Sequence, residues 1–179
     1  MANHIELKSI TQENLKPLWD ISFGPKADLE WMKWNGPYFN DPVQTFGEFS
    51  TGWGKSLVKS PMAMMIMVND KIVGLVMSYW ADNHLKQWLE VGISIYDSTM
   101  WGKGIGSQAL LSWLQNQFDY FDYLPHIGFT TWSGNEGMQR LDEKCGMTKE
   151  AVIRKVRYLN GQYYDSVKYG VLREEFNNC

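Results

Sequence analysis

The chain has 179 residues, which suits a single domain that buries roughly 70% of the surface exposed by its unfolded form. Its formal net charge of −3 is unlike the basic face of a nucleic-acid-binding protein, and no segment approaches the roughly 18 consecutive apolar residues of a membrane span. We therefore expect a soluble, cytoplasmic protein that binds neither nucleic acid nor a membrane.

The first sixty residues predict one strand and then broken helical structure. The segment HIELKSIT, residues 4–11, alternates apolar and polar side chains as a short strand does. Between about residues 11 and 59 the pattern is helical but is interrupted by three proline-containing pairs. The last pair, Asp41-Pro42, predicts the start of a helix, because proline suits the first helical position.

Three strands are predicted next. PMAMMIMV and KIVGLVMSYW are joined by Asn69-Asp70, a pair that fits a two-residue hairpin turn. The third strand, Gln87–Asp97, places Leu89, Val91, Ile93 and Ile95 on one face and Glu90, Gly92, Ser94 and Tyr96 on the other.

The second half of the chain alternates helices and strands. Apolar residues recur at helical spacing from Gly104 to about Tyr120, and HIGFTTW is a strand candidate. Ser133-Gly-Asn-Glu136 fits a capping box that opens a helix, which Gly146 would end. Two final strands are joined by Asn160-Gly161. This order predicts an α/β or α+β fold, in which helices flank a mixed, largely antiparallel central sheet, and one domain over residues 1–179.

The segment TMWGKGIGSQALL places Gly102, Gly104 and Gly106 between a strand and a helix. Glycines allow a ligand to approach the backbone closely, and a helix N-terminus has unpaired N–H donors and a partial positive charge. The segment therefore suits a pyrophosphate, although a tight turn that needs glycine only for packing remains the alternative.

Two better-known phosphate-binding motifs do not fit. The dinucleotide fingerprint fails because Ser107 occupies the position of its third glycine. The segment GWGKS, residues 52–56, resembles part of a P-loop, but Phe49 occupies the position of its first glycine and no strand precedes it.

The longer segment YDSTMWGKGIGSQALLSWL resembles the acetyl-CoA loop of the GNAT superfamily of N-acetyltransferases, with Trp101 where that loop usually has Gln or Arg. NEGMQRLDEKCGM and KEAVIRKVRYLNGQYYDSVKYGVL are similar to segments of its ribosomal-protein N-acetyltransferase-like, Rim-type branch. The first of them departs from the branch at Met138, for Ser, and at Met147, for Phe. The resemblance covers about residues 71–176 and implies the acyl-CoA N-acyltransferase fold, with acetyl-CoA as co-substrate.

The resemblance also implies which residues hold acetyl-CoA. The glycine-rich loop would bind the pyrophosphate, the strand edge from Ile93 to Tyr96 would pair with the pantetheine arm, and Asn135 would lie near the thioester. For Asn135, helix capping is an equal alternative. The expected cofactor-binding residues are Ile93, Ile95, Trp101, Gly102, Lys103, Gly104, Ile105, Gly106, Ser107 and Asn135.

N-acetylation requires a neutral amine, and because lysine-like amines have a pKa near 10.4, a base or a water relay should remove a proton. Glu90 is the predicted base, since many relatives carry an acidic residue on this strand. Among aromatic side chains such as Trp80, we expect its pKa to be raised. The alternative is a structural glutamate paired with a nearby Arg or Lys.

The acid that protonates the leaving thiolate is harder to predict. Many superfamily members place a tyrosine seven residues after the asparagine, where this chain has Asp142. Tyr96 and Ser133 are the predicted donors. The alternative is a thiolate that leaves unprotonated, which a thiol of pKa about 8.5 tolerates.

The early helical region and the last hairpin are expected to form the acceptor side. Trp31, Trp34, Tyr38 and Phe39 are predicted to wall the pocket, with Asp28, Glu30 and Asp41 attracting a cation. The alternative is that these aromatic residues form core.

The sequence therefore predicts an acetyl-CoA-dependent N-acetyltransferase that acts on a primary amine: a protein N-terminus, a polyamine or another small amine. The absence of a tyrosine at Asp142 favours the alternative, a non-catalytic acyl-CoA-binding regulatory module. A homodimer is common in such proteins. We expect no metal, because the three histidines are scattered, and we expect Cys145 and Cys179 to be free thiols.

Overall fold

A computed structural model describes residues 4–177 of the chain. The strands of this part are β1 (Ile5–Ser9), β2 (Ala63–Val68), β3 (Lys71–Trp80), β4 (Leu89–Ile95), β5 (His126–Trp132), β6 (Thr148–Leu159) and β7 (Gln162–Leu172). The helices are α1 (Leu15–Ser22), α2 (Phe46–Thr51), α3 (Trp53–Leu57), α4 (Ile105–Tyr120), α5 (Glu136–Lys144) and α6 (Arg173–Phe176). Short 3-10 turns cover Leu29–Lys33 and Pro37–Phe39. None of the helices described is long and apolar enough to cross a membrane.

The strands form a single sheet in the order β1-β2-β3-β4-β5-β7-β6. Every neighbouring pair is antiparallel except β4 and β5, so the predicted mixed, largely antiparallel sheet flanked by helices is confirmed.

Both predicted hairpin turns are also present. Asn69, Asp70, Asn160 and Gly161 all have positive φ, as the turn type that matches strand twist requires.

The parallel pair β4–β5 is short. Leu89, Glu90 and Val91 pair with Ile127, Gly128 and Phe129, and beyond this point the two strands are no longer paired with each other. The remaining residues of β4, up to Ile95, still pair with β3 on their other side. An opening therefore lies inside the sheet, between the carboxyl-terminal halves of β4 and β5.

Each face of the sheet carries a hydrophobic core. On one face lies α4, whose Trp113 is fully buried and donates its indole N–H to the carbonyl of Met77 at 3.0 Å. On the other face α1 and α2 pack with Trp31 and Tyr96. Burial of a large apolar side chain of this kind contributes about 1.5–3 kcal/mol, so both cores hold the sheet in place.

Two predicted helix starts are wrong, because other residues cap the helices. α2 begins at Phe46, after Asp41-Pro42, since Thr45 and Glu48 form a reciprocal capping box. The cap of α5 is Asn135 rather than Ser133, and its Oδ1 accepts from the Met138 amide at 3.0 Å. Gly146 follows α5 with φ of 80°, the left-handed conformation expected of a helix stop.

Candidate active site

A cavity of about 1050 Å³ lies where β4 and β5 separate. Residues 91–95 of β4 and 129–132 of β5 form its walls, and the glycine-rich loop lines one part of it. Residues from the 3-10 turns and Arg157 line another part, which we call the acceptor end. Its volume matches that of small-molecule and cofactor sites. A second cavity, of about 530 Å³, shares lining residues with the first, namely Trp31, Asn35, Gly36, Asp41, Met77 and Ser94.

The glycine-rich loop has a backbone that only glycine adopts easily. Gly102 has φ of 71° and Gly104, the N-cap of α4, has φ of 78°. A Cβ built at either position meets nothing within 4 Å, so packing does not require glycine there. Both residues line the cavity, and the first amides of α4 have no intrahelical partner. The loop therefore fits the phosphate groups of CoA, which accept hydrogen bonds from such amides.

All but two of the predicted cofactor-binding residues line this cavity. The exceptions are Lys103 and Ile105, of which Ile105 is buried in the core beneath α4. Trp101, which replaces the usual Gln or Arg, donates its indole N–H to the carbonyl of Ile95 at 2.9 Å. The tryptophan therefore ties the loop to the end of β4.

Glu90 is almost completely buried, at 2% exposure, within a network of donors on three neighbouring strands. The hydroxyls of Tyr79 and Thr130 each donate to its carboxylate at 2.6 Å, and the Lys168 ammonium lies 2.9 Å away. Burial alone would raise the pKa of Glu90, but these donors outweigh it and hold the pKa below its usual range. The expected raised pKa is therefore wrong. The carboxylate is ionised and paired with Lys168, which is the pairing that the alternative, a structural glutamate, predicted.

The position of Glu90 relative to the cavity limits its role. Tyr79 and Thr130 line the cavity, whereas Glu90 is not among its lining residues. A ligand group in the cavity therefore reaches the carboxylate through one of two hydroxyls. Burial and the hydrogen bond to Glu90 raise the pKa of Tyr79, so this hydroxyl keeps its proton.

The two predicted acids lie elsewhere. Tyr96 is buried against Trp31, with ring centroids 5.0 Å apart, and lines only the smaller cavity. Burial raises the pKa of its hydroxyl. Ser133 does not line the larger cavity either, and its hydroxyl accepts from the Asp165 amide at 2.9 Å. Neither predicted acid is therefore among the residues that line the larger cavity.

Asp142 occupies the position where many family members have a tyrosine. Its side chain is fully buried, neither carboxylate oxygen has a hydrogen-bond partner, and it is not among the residues that line the larger cavity. Burial, with the nearby Glu143 carboxylate, raises the pKa of Asp142 to about 8. This side chain lies on the buried side of α5 and does not line the cavity.

Asn135 lines the cavity and caps a helix. Besides accepting from Met138, it donates its side-chain N–H to the carbonyl of Trp34 at 3.2 Å. The indole N–H of Trp132 donates to the same carbonyl at 3.0 Å. Asn135 therefore caps α5, fixes the segment that carries Trp34, and still lines the cavity.

The predicted acceptor residues Trp31, Trp34 and Tyr38 all line the larger cavity. Trp31 also belongs to the buried core, so both predicted roles apply to it. Of the three acidic residues expected to attract a cation, only Asp41 lines the cavity. Asp28 accepts from the amides of Ser98 and Glu30, which lower its pKa, and Glu30 pairs with Lys33.

The structure adds residues that the sequence did not single out. Tyr79, Thr130 and Lys168 surround Glu90 because registers across β3, β4, β5 and β7 place all four side chains on one face. Arg157 of β6 also lines the cavity. The alternation of side chains was the available signal, but it does not reveal which strands are neighbours.

Residues 4–177 contain no group of three or more side chains able to hold a metal ion, and Cys179 lies outside them.

Comparison with known proteins identifies the family. Residues 4–148 match the model of the acetyltransferase (GNAT) domain, which covers well over half of the chain. The chain therefore belongs to the GNAT acetyltransferase family.

One curated relative, the SPbeta prophage-derived uncharacterized N-acetyltransferase YokL of Bacillus subtilis (strain 168), is 37% identical over 75 residues. That match spans 42% of this chain and 42% of the relative, less than half the length of either.

Two solved structures show how widely the fold is shared. A GNAT-family acetyltransferase from Bacillus anthracis superimposes with a TM-score of 0.75 at 18% identity over 97% of this chain and 98% of its own. Spermidine N-acetyltransferase from Vibrio cholerae, solved with CoA and spermine, gives a TM-score of 0.77 at 20% identity over the same shares. At these identities the likeness establishes the fold alone.

Proposed function

We propose that this chain is an acetyl-CoA-dependent N-acetyltransferase that transfers the acetyl group to a primary amine by direct attack on the thioester. The observation that carries the proposal is the opening between β4 and β5, which joins the glycine-rich loop to an aromatic-walled cavity. One continuous space thus holds a nucleotide-like group at one end and an acceptor at the other. The three sequence blocks favour the ribosomal-protein N-acetyltransferase-like branch.

The loop and the strand edge position the co-substrate. The amides at the start of α4 would bind the pyrophosphate, and the unpaired edge of β4 from Gly92 to Ile95 would hydrogen-bond the pantetheine arm. When bound, acetyl-CoA supplies the acetyl group as an activated thioester. A strand amide near this opening would hold the carbonyl oxygen, so that positioning provides much of the catalysis.

The amine nitrogen bonds to the acetyl carbon, the carbon–sulfur bond breaks, and the amine loses a proton. We propose that Glu90 accepts this proton through the hydroxyl of Thr130 or of Tyr79, both of which line the cavity. Because Lys168 and the two hydroxyls stabilise the carboxylate, Glu90 is a weak base that passes the proton on to solvent. The thiolate leaves unprotonated, since neither Tyr96 nor Ser133 lines this cavity.

The experiment is thiol release from acetyl-CoA, measured with polyamines, aminoglycosides, amino acids and short N-terminal peptides, alongside calorimetric titration with CoA. We expect CoA binding and turnover with at least one class of amine. CoA binding without thiol release from any amine would instead support the alternative, a non-catalytic acyl-CoA-binding module. Absence of both would contradict the proposal and its alternative together.

A further inference from the structure

The acceptor end of the larger cavity contains a positive charge without a carboxylate partner. Arg157 lies on β6 directly after an irregularity, where the register with β7 shifts between Ile153 and Arg157. Lys155, inside this bulge, has φ of 56°, and its amide donates to Asp165 at 2.9 Å. Because Arg157 pairs with Tyr164, it lies on the same sheet face as Lys168, and it lines the cavity.

Aromatic rings fix the guanidinium of Arg157. Its central carbon lies 4.8 Å from the ring centre of Tyr38 and 5.3 Å from that of Phe39. Tyr38 is itself held against Trp132, with ring centroids 5.9 Å apart. These contacts hold the planar group in place, and its Nε–H remains an unused donor for a ligand.

The hydrogen-bonding capacity of this guanidinium is not fully used within the chain. Its Nε is buried and has no hydrogen-bond partner, and Arg157 forms no ion pair with any residue between 4 and 177. A buried donor without an acceptor is costly, and buried polar groups are therefore nearly always paired. An acceptor atom from a ligand would supply the missing partner.

Other charged groups that line the cavity differ from Arg157. Arg140 is exposed and paired with Glu136, and Lys144 is an exposed residue at the end of α5. Lys168, which does not line the cavity, is neutralised by Glu90. Arg157 is therefore the cation at the acceptor end whose buried donor is unsatisfied.

We propose that Arg157 binds a carboxylate of the acceptor, so that the preferred substrate is a small amine that also carries a carboxylate. The proposal rests on the proposed N-acetyltransferase activity and names the class of its acceptor. A guanidinium offers two parallel N–H groups to a carboxylate, in a geometry that lysine does not reproduce. A polyamine, in contrast, would bring further positive charge towards this arginine, and Asp41 is the one acidic residue of the early segment that lines the cavity to offset it. The aromatic walls favour an apolar connection between the amine and the carboxylate.

The test uses pairs of acceptors that differ only in the carboxylate. Glycine, glutamate, phenylalanine and lysine are each compared with the corresponding amino-acid amide, and kcat/KM is obtained from thiol release. The ratio of acid to amide is then compared between the wild type and Arg157→Gln, which cancels differences in amine reactivity. We expect the ratio to fall roughly 10- to 100-fold in the variant, as for loss of a hydrogen-bonded charge pair. Peptides with an acidic second residue, tested in the same way, show whether Arg157 also recognises a side-chain carboxylate of a peptide acceptor.

Two further variants separate recognition from structure. Arg154→Gln removes the same charge from an exposed position of β6 and should leave the ratio unchanged. Arg157→Lys keeps the positive charge but loses the two parallel N–H donors of the guanidinium. It should therefore lower the acid-to-amide ratio less than Arg157→Gln does. It also serves as the test variant should Arg157→Gln fail to fold, as judged by circular dichroism. An acid-to-amide ratio that is the same in the wild type and both Arg157 variants would overturn the proposal.

Binding separates failure of this proposal from failure of the proposed activity. N-acetylphenylalanine and its amide are titrated against the intact protein, with tryptophan fluorescence as the signal. Arg157-dependent preference for the acid, without turnover of any amine, would keep the carboxylate site and remove the transferase activity. Turnover of an amine without an Arg157-dependent preference for the acid would keep the transferase activity and remove the carboxylate site. Absence of both turnover and this preference would overturn both proposals.

Discussion

The two ends of the larger cavity are built in different ways. At the glycine-rich loop the walls are backbone, shaped by Gly102, Gly104 and the first turn of α4. At the acceptor end the walls are side chains such as Tyr38, Trp132 and Arg157, which come from three distant segments. A backbone site binds a group common to many proteins, because it depends on chain geometry. A side-chain site selects a particular molecule, because each residue can change independently.

The largest expected effect is at Glu90. If this carboxylate receives the amine proton, Glu90→Gln should lower kcat by about 10²-fold, the low end of the usual contribution of general base catalysis, because its lowered pKa makes it a weak base. KM for acetyl-CoA should change little, because Glu90 does not line the cavity. An unchanged kcat would remove Glu90 from the mechanism.

Lys168 offers a matched test of the same role. Lys168→Met removes a donor that lowers the pKa of Glu90, so that pKa should rise. The acidic limb of the kcat/KM profile, which reports protonation of the base in the free enzyme, should then move to higher pH. A limb that stays in place in this variant would mean that another group accepts the proton.

The second prediction concerns Asp142, the buried residue of α5, whose carboxyl oxygens have no hydrogen-bond partner. Its pKa is about 8 in the folded protein, against about 3.9 when unfolded, so the unfolded state releases this proton first as pH rises. Stability should fall between about pH 4 and pH 8, with the full cost above pH 8. Asp142→Asn cannot ionise and should be more stable at pH 8 by roughly 2–5 kcal/mol.

Urea denaturation of both proteins at pH 5 and pH 8 measures this difference. The gain from Asp142→Asn should be clearly larger at the higher pH. Equal gains at the two pH values would show that Asp142 does not hold its proton in the folded protein.

The third prediction concerns the backbone end of the cavity. Gly104→Ala places a Cβ where the co-substrate approaches, and we expect KM for acetyl-CoA to rise about tenfold, equivalent to about 1.4 kcal/mol. Gly161→Ala is the matched control, because Gly161 has φ of 80° and equally open surroundings in the β6–β7 turn. The control should lose similar stability in thermal unfolding and keep its KM. Similar KM values for both variants would contradict the assignment of the loop.

The smallest effect is expected at Asn135, which caps α5 and also contacts the segment that carries Trp34. Asn135→Asp keeps an oxygen to cap α5 but loses the N–H donated to the Trp34 carbonyl. Asn135→Ala loses both and should destabilise the protein by about 1 kcal/mol, as for other helix caps. Steady-state kinetics of the aspartate variant should show a higher KM for the amine and an unchanged KM for acetyl-CoA. A change confined to acetyl-CoA would indicate that Asn135 serves the cofactor end alone.

The same contrast explains what could be predicted from sequence. The strands, both hairpin turns and the glycine-rich loop depend on local patterns, and their existence was predicted correctly. The network around Glu90 depends on register across four strands, so Tyr79, Thr130 and the lowered pKa of Glu90 were not foreseen, and the lysine or arginine partner was foreseen only as an alternative, without its position. Arg157 reaches the cavity only after a bulge in β6, and no local pattern marked that bulge. Most local elements were therefore predictable, although two helix starts were not, and the side-chain partners that come from distant strands were not.

The carbonyl of Trp34 accepts hydrogen bonds from Asn135 at the start of α5 and from Trp132 at the end of β5. Any ligand that shifts the first turn of α5 therefore also shifts the segment that walls the acceptor end. We expect the affinities of the two substrates to be thermodynamically linked through this one atom. Such linkage is reciprocal, so each substrate would change the dissociation constant of the other by the same factor.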